Sequence, residues 1–143
     1  MNNLNILSPI DAKVKAIDIE NNNYKIYLDT SFVSSNSILA PISAKIKNSF
    51  YIKGVNLSPD TYKSSLLNER AVVEFDKVKL FFRAGICSKK IQIENKKELT
   101  QGEIFGKFYS GTLIVQMDKT FDICVQIGDI VKSGQTIIGK YDE

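Results

Sequence analysis

Residues 8–15 (SPIDAKVK) return almost unchanged as residues 40–47 (APISAKIK), and the difference that changes a charge is Asp11 against Ser43. Asp11 is therefore the first residue whose chemistry needs an explanation. A carboxylate here could take a proton from a neighbouring hydroxyl, or it could accept backbone N–H groups in a turn between strands. The residue types alone favour the role in a turn.

The composition removes most other kinds of catalytic and metal site. The 143 residues contain no histidine, which excludes Ser-His-Asp and Cys-His nucleophilic pairs, histidine-based metal sites and histidine phosphorylation. Cys87 and Cys124 stand singly in apolar segments without a Cys-x-x-Cys motif, so we expect two buried free thiols and no metal site. The net charge of +3 comes from lysines scattered among acids, which argues against a nucleic-acid partner.

Length and hydropathy indicate one soluble domain. A chain of 143 residues is the size of a single domain, and we expect residues 1–143 to share one core. No apolar run approaches the ~20 residues of a spanning helix, and residues 1–7 are too polar for a secretory signal. We therefore expect a cytoplasmic protein without a transmembrane segment.

Alternation of apolar and polar residues predicts a mostly β fold. The expected strands include residues 24–28, 71–75, 78–80, 91–93, 113–115, 121–125 and 136–138. Many short strands separated by turn signals are typical of a barrel or a sandwich. Pro9 and Pro41 have no N–H to donate and are expected to begin two equivalent strands. The repeated phrase thus predicts a domain with internal pseudo-symmetry.

The C-terminal residues 125–138 resemble the closing hairpin of barrel-sandwich hybrid domains, which include the biotinyl and lipoyl carriers. Such carriers present a lysine at the tip of an earlier hairpin, and no Met-Lys or Asp-Lys-Ala tip is evident here. The likeness therefore indicates a barrel-sandwich-hybrid-like fold and not the carrier function.

A second likeness points to one family. Residues 102–115 (GEIFGKFYSGTLIV) resemble the maturation segment of the phosphatidylserine decarboxylase family, in which Gly-x-x-x-Gly-x-Phe leads into a Gly-Ser pair and strand residues. Four other landmarks follow the family's order: Ser-Pro-x-Asp at 8–11, Ala-Pro at 40–41, Asn-Glu-Arg at 68–70 and Gly-Asp-x-Val-x-x-Gly at 128–134. The likeness covers nearly the whole chain.

The resemblance implies a pyruvoyl enzyme that cuts itself. In the family, the serine after glycine attacks the preceding carbonyl, and elimination and hydrolysis leave a ketone that serves as electron sink while an amine substrate loses CO2. An Asp-His pair activates the serine. Here Gly111-Thr112 matches the cleaved pair and Asp11 matches the aspartate, but residues 35–39, where the family carries its histidine, contain none.

These departures leave two functions open. The first is a non-catalytic relative without a cofactor, in which Gly111, Thr112 and Asp11 are vestigial and the old pocket binds an unknown protein or a small amino-acid or phospho head group. The second is an active decarboxylase of an amino-acid head group, with a 2-oxobutanoyl group made from Thr112. Because no base for the Thr112 hydroxyl is evident, the sequence favours the first. A domain resembling the glucose-class enzyme IIA would need the missing histidine.

Further residues are candidates for binding. The resemblance suggests that Asn68 and Arg70 lie near the former active site and contact a ligand, whereas a solvated loop is the ordinary alternative. Arg83 and Lys107 could face an anion pocket, although surface cations usually serve solubility. An exposed edge strand would also allow a homodimer.

Overall fold

The computed structural model describes residues 3–30, 36–53, 69–85 and 89–142 of the chain. Within these ranges the regular secondary structure consists of fifteen strands. The same ranges contain no helix that is long and apolar enough to cross a membrane. The prediction of a mostly β fold is therefore confirmed, whereas Asn68 and Cys87 lie outside the described residues.

The strands are assembled into four sheets within the described part of the chain. In chain order they are β1 (Asn3–Leu7), β2 (Ala12–Glu20), β3 (Asn23–Asp29), β4 (Ser37–Leu39), β5 (Ala44–Lys45), β6 (Asn48–Ile52), β7 (Arg70–Glu74), β8 (Val78–Ala84), β9 (Gln92–Ile93), β10 (Glu98–Leu99), β11 (Ile104–Lys107), β12 (Gly111–Asp118), β13 (Asp122–Ile123), β14 (Ile130–Val131) and β15 (Ile137–Asp142). The largest sheet has the order β14-β2-β3-β12-β8-β7-β6, and the small sheets are β1-β15-β13, β4-β11-β9 and β5-β10. None of these described sheets closes into a barrel, so the barrel-sandwich architecture stays a prediction.

The seven-stranded sheet has one face in the core. Along β12, Leu113 and Val115 are fully buried, and on the neighbouring β8 so is Phe82. Burial of each such side chain stabilises the fold by about 1.5–3 kcal/mol. Because successive side chains of a strand point to opposite faces, Ile114 and Gln116 lie on the other face, which we call the outer face.

The repeated phrase forms two equivalent backbone crossings. The Leu7 N–H donates to the Pro41 carbonyl at 3.1 Å, and the Leu39 N–H donates to the Pro9 carbonyl at 2.9 Å. The two donors, Leu7 and Leu39, are 32 residues apart, and so are the two acceptors, Pro9 and Pro41. Each half of the chain therefore donates to the other half in the same way. The two crossings are thus related by one pseudo-two-fold axis.

The two prolines do not begin strands, so that prediction is wrong. Pro9 and Pro41 lie in bends, and the strands β2 and β5 begin only at Ala12 and Ala44. A bend suits proline because its fixed φ and missing N–H cost nothing there, while its carbonyl stays available for the crossing.

The pseudo-symmetry extends to the hairpins that face each crossing. Strand β10 pairs with β5 in the same register as β14 pairs with β2. Strand β11 pairs with β4 and β9 as β15 pairs with β1 and β13. Corresponding residues in the two halves are 30 to 33 positions apart. This correspondence is the internal pseudo-symmetry that the repeated phrase predicts.

Asp11 and Ser43 occupy equivalent positions in the two halves and accept equivalent hydrogen bonds. The Ser133 N–H donates to the Asp11 Oδ1 at 2.8 Å, and the Gln101 N–H donates to the Ser43 Oγ at 2.8 Å. Each donor is followed by a glycine with positive φ in the turn of the facing hairpin. What both turns need is an oxygen acceptor, which either side chain supplies.

The prediction that Cys124 is buried is wrong, because its side chain is exposed just after β13. Phe121 and Val125 turn inward here, which leaves Cys124 on the solvent side. An apolar run marks a strand but does not specify which of its residues face the core.

Asp11→Ala is expected to lower the free energy of unfolding by about 1 kcal/mol, because the Ser133 N–H loses its acceptor. Asp11→Asn keeps an acceptor oxygen and should stay within about 0.5 kcal/mol of the wild type. Ser43→Ala is the matched change in the other half and should cost as much as Asp11→Ala. Urea denaturation at pH 7 measures all three, and an unchanged Asp11→Ala variant would contradict the assignment.

Candidate functional site

Gly111 and Thr112 open β12, the central strand of the seven-stranded sheet. Strand β12 is hydrogen-bonded to β3 on one side and to β8 on the other. This pairing sets Thr112 directly opposite Asp29 on β3 and Arg83 on β8. Thr112 is only 4% exposed, so its hydroxyl needs a partner within the protein.

Gly111 lies where no other residue fits. Its φ is +139°, and a Cβ built on it would lie 2.0 Å from the Arg83 carbonyl oxygen and 2.9 Å from the Gly85 nitrogen. Both colliding atoms belong to the backbone, which cannot move without breaking the pairing of β12 with β8. The close approach of these strands therefore dictates glycine before Thr112.

The Thr112 hydroxyl is bound to a carboxylate. Thr112 Oγ1 donates a hydrogen bond to Asp29 Oδ1 at 2.8 Å. The other carboxylate oxygen of Asp29, Oδ2, lies 3.6 Å from Lys15 Nζ. A carboxylate in hydrogen-bond contact with a hydroxyl is placed to take its proton. The structure thus places at the Thr112 hydroxyl a carboxylate that the sequence did not reveal.

The Gly111 carbonyl receives two donors from one residue. The Thr30 N–H donates to it at 3.0 Å, and Thr30 Oγ1 donates at 3.2 Å. The same hydroxyl accepts the Gly111 N–H at 2.8 Å. Donors aimed at a carbonyl oxygen stabilise the negative charge that develops when a nucleophile attacks its carbon.

These contacts place three kinds of group around the Gly111–Thr112 bond. The hydroxyl belongs to Thr112, the carboxylate that accepts its hydrogen bond to Asp29, and the donors to the Gly111 carbonyl to Thr30. The three groups follow the general logic of an activated nucleophile, although no imidazole takes part.

Sequence reasoning missed Asp29 and Thr30 because neither lies near Thr112 in the chain. The partners of Thr112 and Gly111 are 83 and 81 residues away. Alternation predicts the strand that contains residues 24–28 but gives no register against another strand. A correct pairing of β3 with β12 is the only signal that would have identified them.

The remaining predicted residues are distributed over the molecule. The Asp11 carboxylate accepts the Ser133 N–H. The carboxylate that accepts the Thr112 hydroxyl is that of Asp29 instead. Lys107 lies on β11, in a different sheet, with its Nζ 3.3 Å from Ser37 Oγ. Asn68 lies outside the described residues.

The described part of the Asn-Glu-Arg motif is structural and not a solvated loop. Glu69 is 5% exposed, and its Oε2 accepts the Ile91 N–H at 3.2 Å and the Tyr51 hydroxyl. Burial and the Glu69 carboxylate raise the pKa of Tyr51 to about 12. Tyr51 therefore stays a protonated donor at neutral pH, and Arg70 follows as the first residue of β7.

Arg70 and Arg83 lie on the outer face with Thr112. Across five strands, Thr112 is opposite Asp29 on one side and Arg83 on the other, Arg83 is opposite Arg70, and Arg70 is opposite Ile52. Residues directly opposite each other on paired strands share a face. The structure thus places two of the candidate binding residues, Arg70 and Arg83, on the same face of the sheet as Thr112.

Comparisons with known proteins identify relatives along nearly the whole chain. A family model described as phosphatidylserine decarboxylase matches residues 1–139. A phosphatidylserine decarboxylase proenzyme of Chlorobium chlorochromatii is 28% identical, over 95% of this chain and 70% of that protein. No solved structure gives a significant match.

Two archaeal relatives are more similar in sequence. They are candidate archaetidylserine decarboxylase proenzymes of Methanococcoides burtonii, 30% identical over 94% of this chain and 66% of that protein, and of Methanosarcina mazei, 34% identical over 93% and 65%. This chain therefore spans about two thirds of the length of its relatives.

Gly111→Ala is expected to prevent folding or to lower the free energy of unfolding by more than about 3 kcal/mol, because backbone strain and a collision with the Arg83 carbonyl add together. Gly128→Ala is the matched control: φ is +97° but a Cβ would meet nothing within 4 Å. It should cost only about 1–2 kcal/mol. Urea denaturation compares the two, and equal losses would refute the role of the close approach.

Proposed function

The chain belongs to the phosphatidylserine decarboxylase family, and we propose that it cleaves itself between Gly111 and Thr112 to form a 2-oxobutanoyl group. The observation that carries this proposal is the 2.8 Å hydrogen bond from the Thr112 hydroxyl to Asp29. It supplies the base whose absence made the sequence favour a non-catalytic relative. The word "proenzyme" in the relatives' names agrees with processing in the family.

The first step is an acyl shift. Asp29 takes the hydroxyl proton as Thr112 Oγ1 attacks the Gly111 carbonyl carbon, and Thr30 stabilises the oxygen that becomes negative. Collapse breaks the peptide C–N bond and protonates the nitrogen. The product is an ester between the Gly111 carbonyl and Thr112 Oγ1, with a free amine on Thr112.

The second step releases the two pieces. Loss of the Thr112 Cα proton and rupture of its Cβ–Oγ1 bond free the Gly111 carboxylate. The enamine left on residue 112 becomes an imine, and water replaces its nitrogen as ammonia. The chain that begins at residue 112 then carries a 2-oxobutanoyl group, in which the extra carbon relative to pyruvoyl comes from the threonine methyl.

A 2-oxoacyl group supplies an electron sink for the loss of CO2 from an amine substrate. The residues around Thr112 fit such a group, because Asp29 remains beside it to accept or return a proton and Thr30 holds the strand opposite. By analogy with the relatives' names, the proposed substrate is a serine head group attached to a lipid.

A second candidate is the non-catalytic relative, which the composition favours. The chain has no histidine and carries threonine where the family carries serine. Under this alternative, the Gly111–Thr112 bond stays intact and the Asp29 contact only satisfies a buried hydroxyl. Intact protein would thus distinguish the two candidates.

The intact mass of freshly purified protein, before and after hydroxylamine treatment, tests the proposal. We expect fragments that end at Gly111 and begin at residue 112, with hydroxylamine bound only to the second, because it alone carries a ketone. A single full-length species without an adduct would refute self-cleavage and support the non-catalytic relative.

Variants assign the roles. Asp29→Asn keeps a hydrogen-bond acceptor but removes the base, so cleavage should slow by about 10²–10⁴-fold. Thr112→Ala should abolish cleavage, and Thr112→Ser should keep it and leave a pyruvoyl group.

Glu74→Gln removes a carboxylate elsewhere on the outer face and is the matched control for Asp29→Asn. Equal rates for Asp29→Asn and Glu74→Gln would contradict the role of Asp29.

A further inference from the structure

Strand β6 is one edge of the seven-stranded sheet. It pairs with β7 on one side, and no described strand pairs with its other side. An edge strand offers unpaired N–H and C=O groups to any strand that lines up beside it. The opposite edge of this sheet is β14, which has two residues, whereas β6 has five. The longer edge at which another strand can add is therefore β6.

The usual protection of an edge strand is missing from β6. Soluble proteins commonly place a lysine, a proline or a bulge within such a strand. The residues Asn48–Ile52 (NSFYI) contain no charge and no proline, and their register with β7 is regular. All five are exposed, among them Phe50, Tyr51 and Ile52 at 47%, 38% and 41%. The strand thus leaves both backbone groups and large apolar side chains uncovered.

We propose that two copies of this chain dimerise by antiparallel pairing of their β6 strands, about a two-fold axis that passes beside Tyr51. In this register Phe50 of each copy lies opposite Ile52 of the other, and the two copies of Tyr51 lie opposite each other. Aromatic pairs and pairs of an aromatic with a β-branched residue stabilise neighbouring strands. The pairing therefore covers the apolar side chains and the backbone edge together.

Charge selects this register over its neighbour. Lysines flank the strand at positions 47 and 53. If the axis passed beside Phe50, Lys47 of each copy would lie opposite Lys53 of the other, and like charges directly opposite each other destabilise a sheet. With the axis beside Tyr51, Lys53 lies opposite Ser49 instead. The sequence of β6 is thus complementary to itself in one register.

The dimer does not rest on self-cleavage. Strands β7 and β8 separate β6 from β12, which carries Thr112. Because Ile52 and Thr112 lie on the same face, pairing of the two edges would join the outer faces of two copies into one surface. The proposed cleavage and the proposed dimer can therefore fail separately.

Sedimentation equilibrium of the whole protein tests the dimer. Five residues a side make a small interface, so we expect a dissociation constant in the micromolar range. Across that range the average mass should rise from the mass of one chain toward twice that value. The mass of one chain at every concentration would overturn the proposal.

Charged variants locate the interface. Phe50→Glu and Ile52→Lys each set a charge opposite an apolar side chain and should each weaken dimerisation by about tenfold or more. Ile130→Lys is the matched control and should dimerise like the wild type, since Ile130 is 68% exposed on β14 at the other edge of the sheet. Circular dichroism confirms that each variant is folded. Equal weakening by all three variants would contradict pairing through β6.

The double variant Phe50→Glu, Ile52→Lys tests the register. With the axis beside Tyr51, each introduced carboxylate lies opposite an introduced ammonium group of the other copy, so the double variant should dimerise at least about tenfold more tightly than either single variant. With the axis beside Phe50, the two introduced carboxylates would face each other. A double variant as weak as the single variants would overturn the Tyr51 register.

The sedimentation measurement is repeated with Thr112→Ala, which cannot cleave itself. We expect this variant and the wild type to dimerise equally, because β6 is remote from the cleaved bond. A dimer of the wild type alone would overturn a pairing that needs no cleavage. Failure of both proteins to dimerise would overturn the proposal and leave self-cleavage to be decided by the mass of the purified chain.

Discussion

The register of β12 between β3 and β8 is the constraint on which the rest of the site depends. It brings the Gly111 backbone against the Arg83 carbonyl and sets Thr112 opposite Asp29. A slip of one residue would turn Thr112 into the core and Leu113 to the outer face. Burial of Leu113 and Val115 on the core face opposes that slip, because both side chains would lose their burial. The core thus holds the Gly111–Thr112 bond in place.

The pseudo-two-fold relation covers the crossings and their hairpins, whereas Asp29 and Thr112 lie on strands outside them. Beyond the crossings both halves enter the seven-stranded sheet: β2 continues through a bulge between Val14 and Ala16 and pairs along β3, and its equivalent is divided into β5 and β6. Asp29, at the end of β3, meets Thr112 within that sheet. Asp11 belongs to the symmetric part, which agrees with its role as an acceptor in a turn.

Much of the fold could be predicted from local pattern, whereas the candidate site could not. Alternation identified the strands that became β3 and β8, short apolar segments suggested β7 and β12, and the repeated phrase predicted the pseudo-symmetry, because all of these are patterns within the sequence itself. The Asp29 contact depends on a register between residues 83 positions apart, which no local pattern contains. Cys124 was misjudged for a related reason, since an apolar segment does not show which residue faces inward.

The features around the Gly111–Thr112 bond do not carry equal weight for self-cleavage. The close approach of β8 is sufficient to require glycine at position 111. The Thr30 contacts are likewise part of the backbone pairing at the end of β3. Pairing of β3 with β12 does not by itself require a carboxylate opposite a hydroxyl at Asp29 and Thr112. Two residues further along, the same two strands hold Tyr27 opposite Ile114. An apolar pair would avoid the cost of burying a hydroxyl. The Asp29–Thr112 bond is therefore the feature that the approach of the strands does not require and on which the proposal of self-cleavage depends.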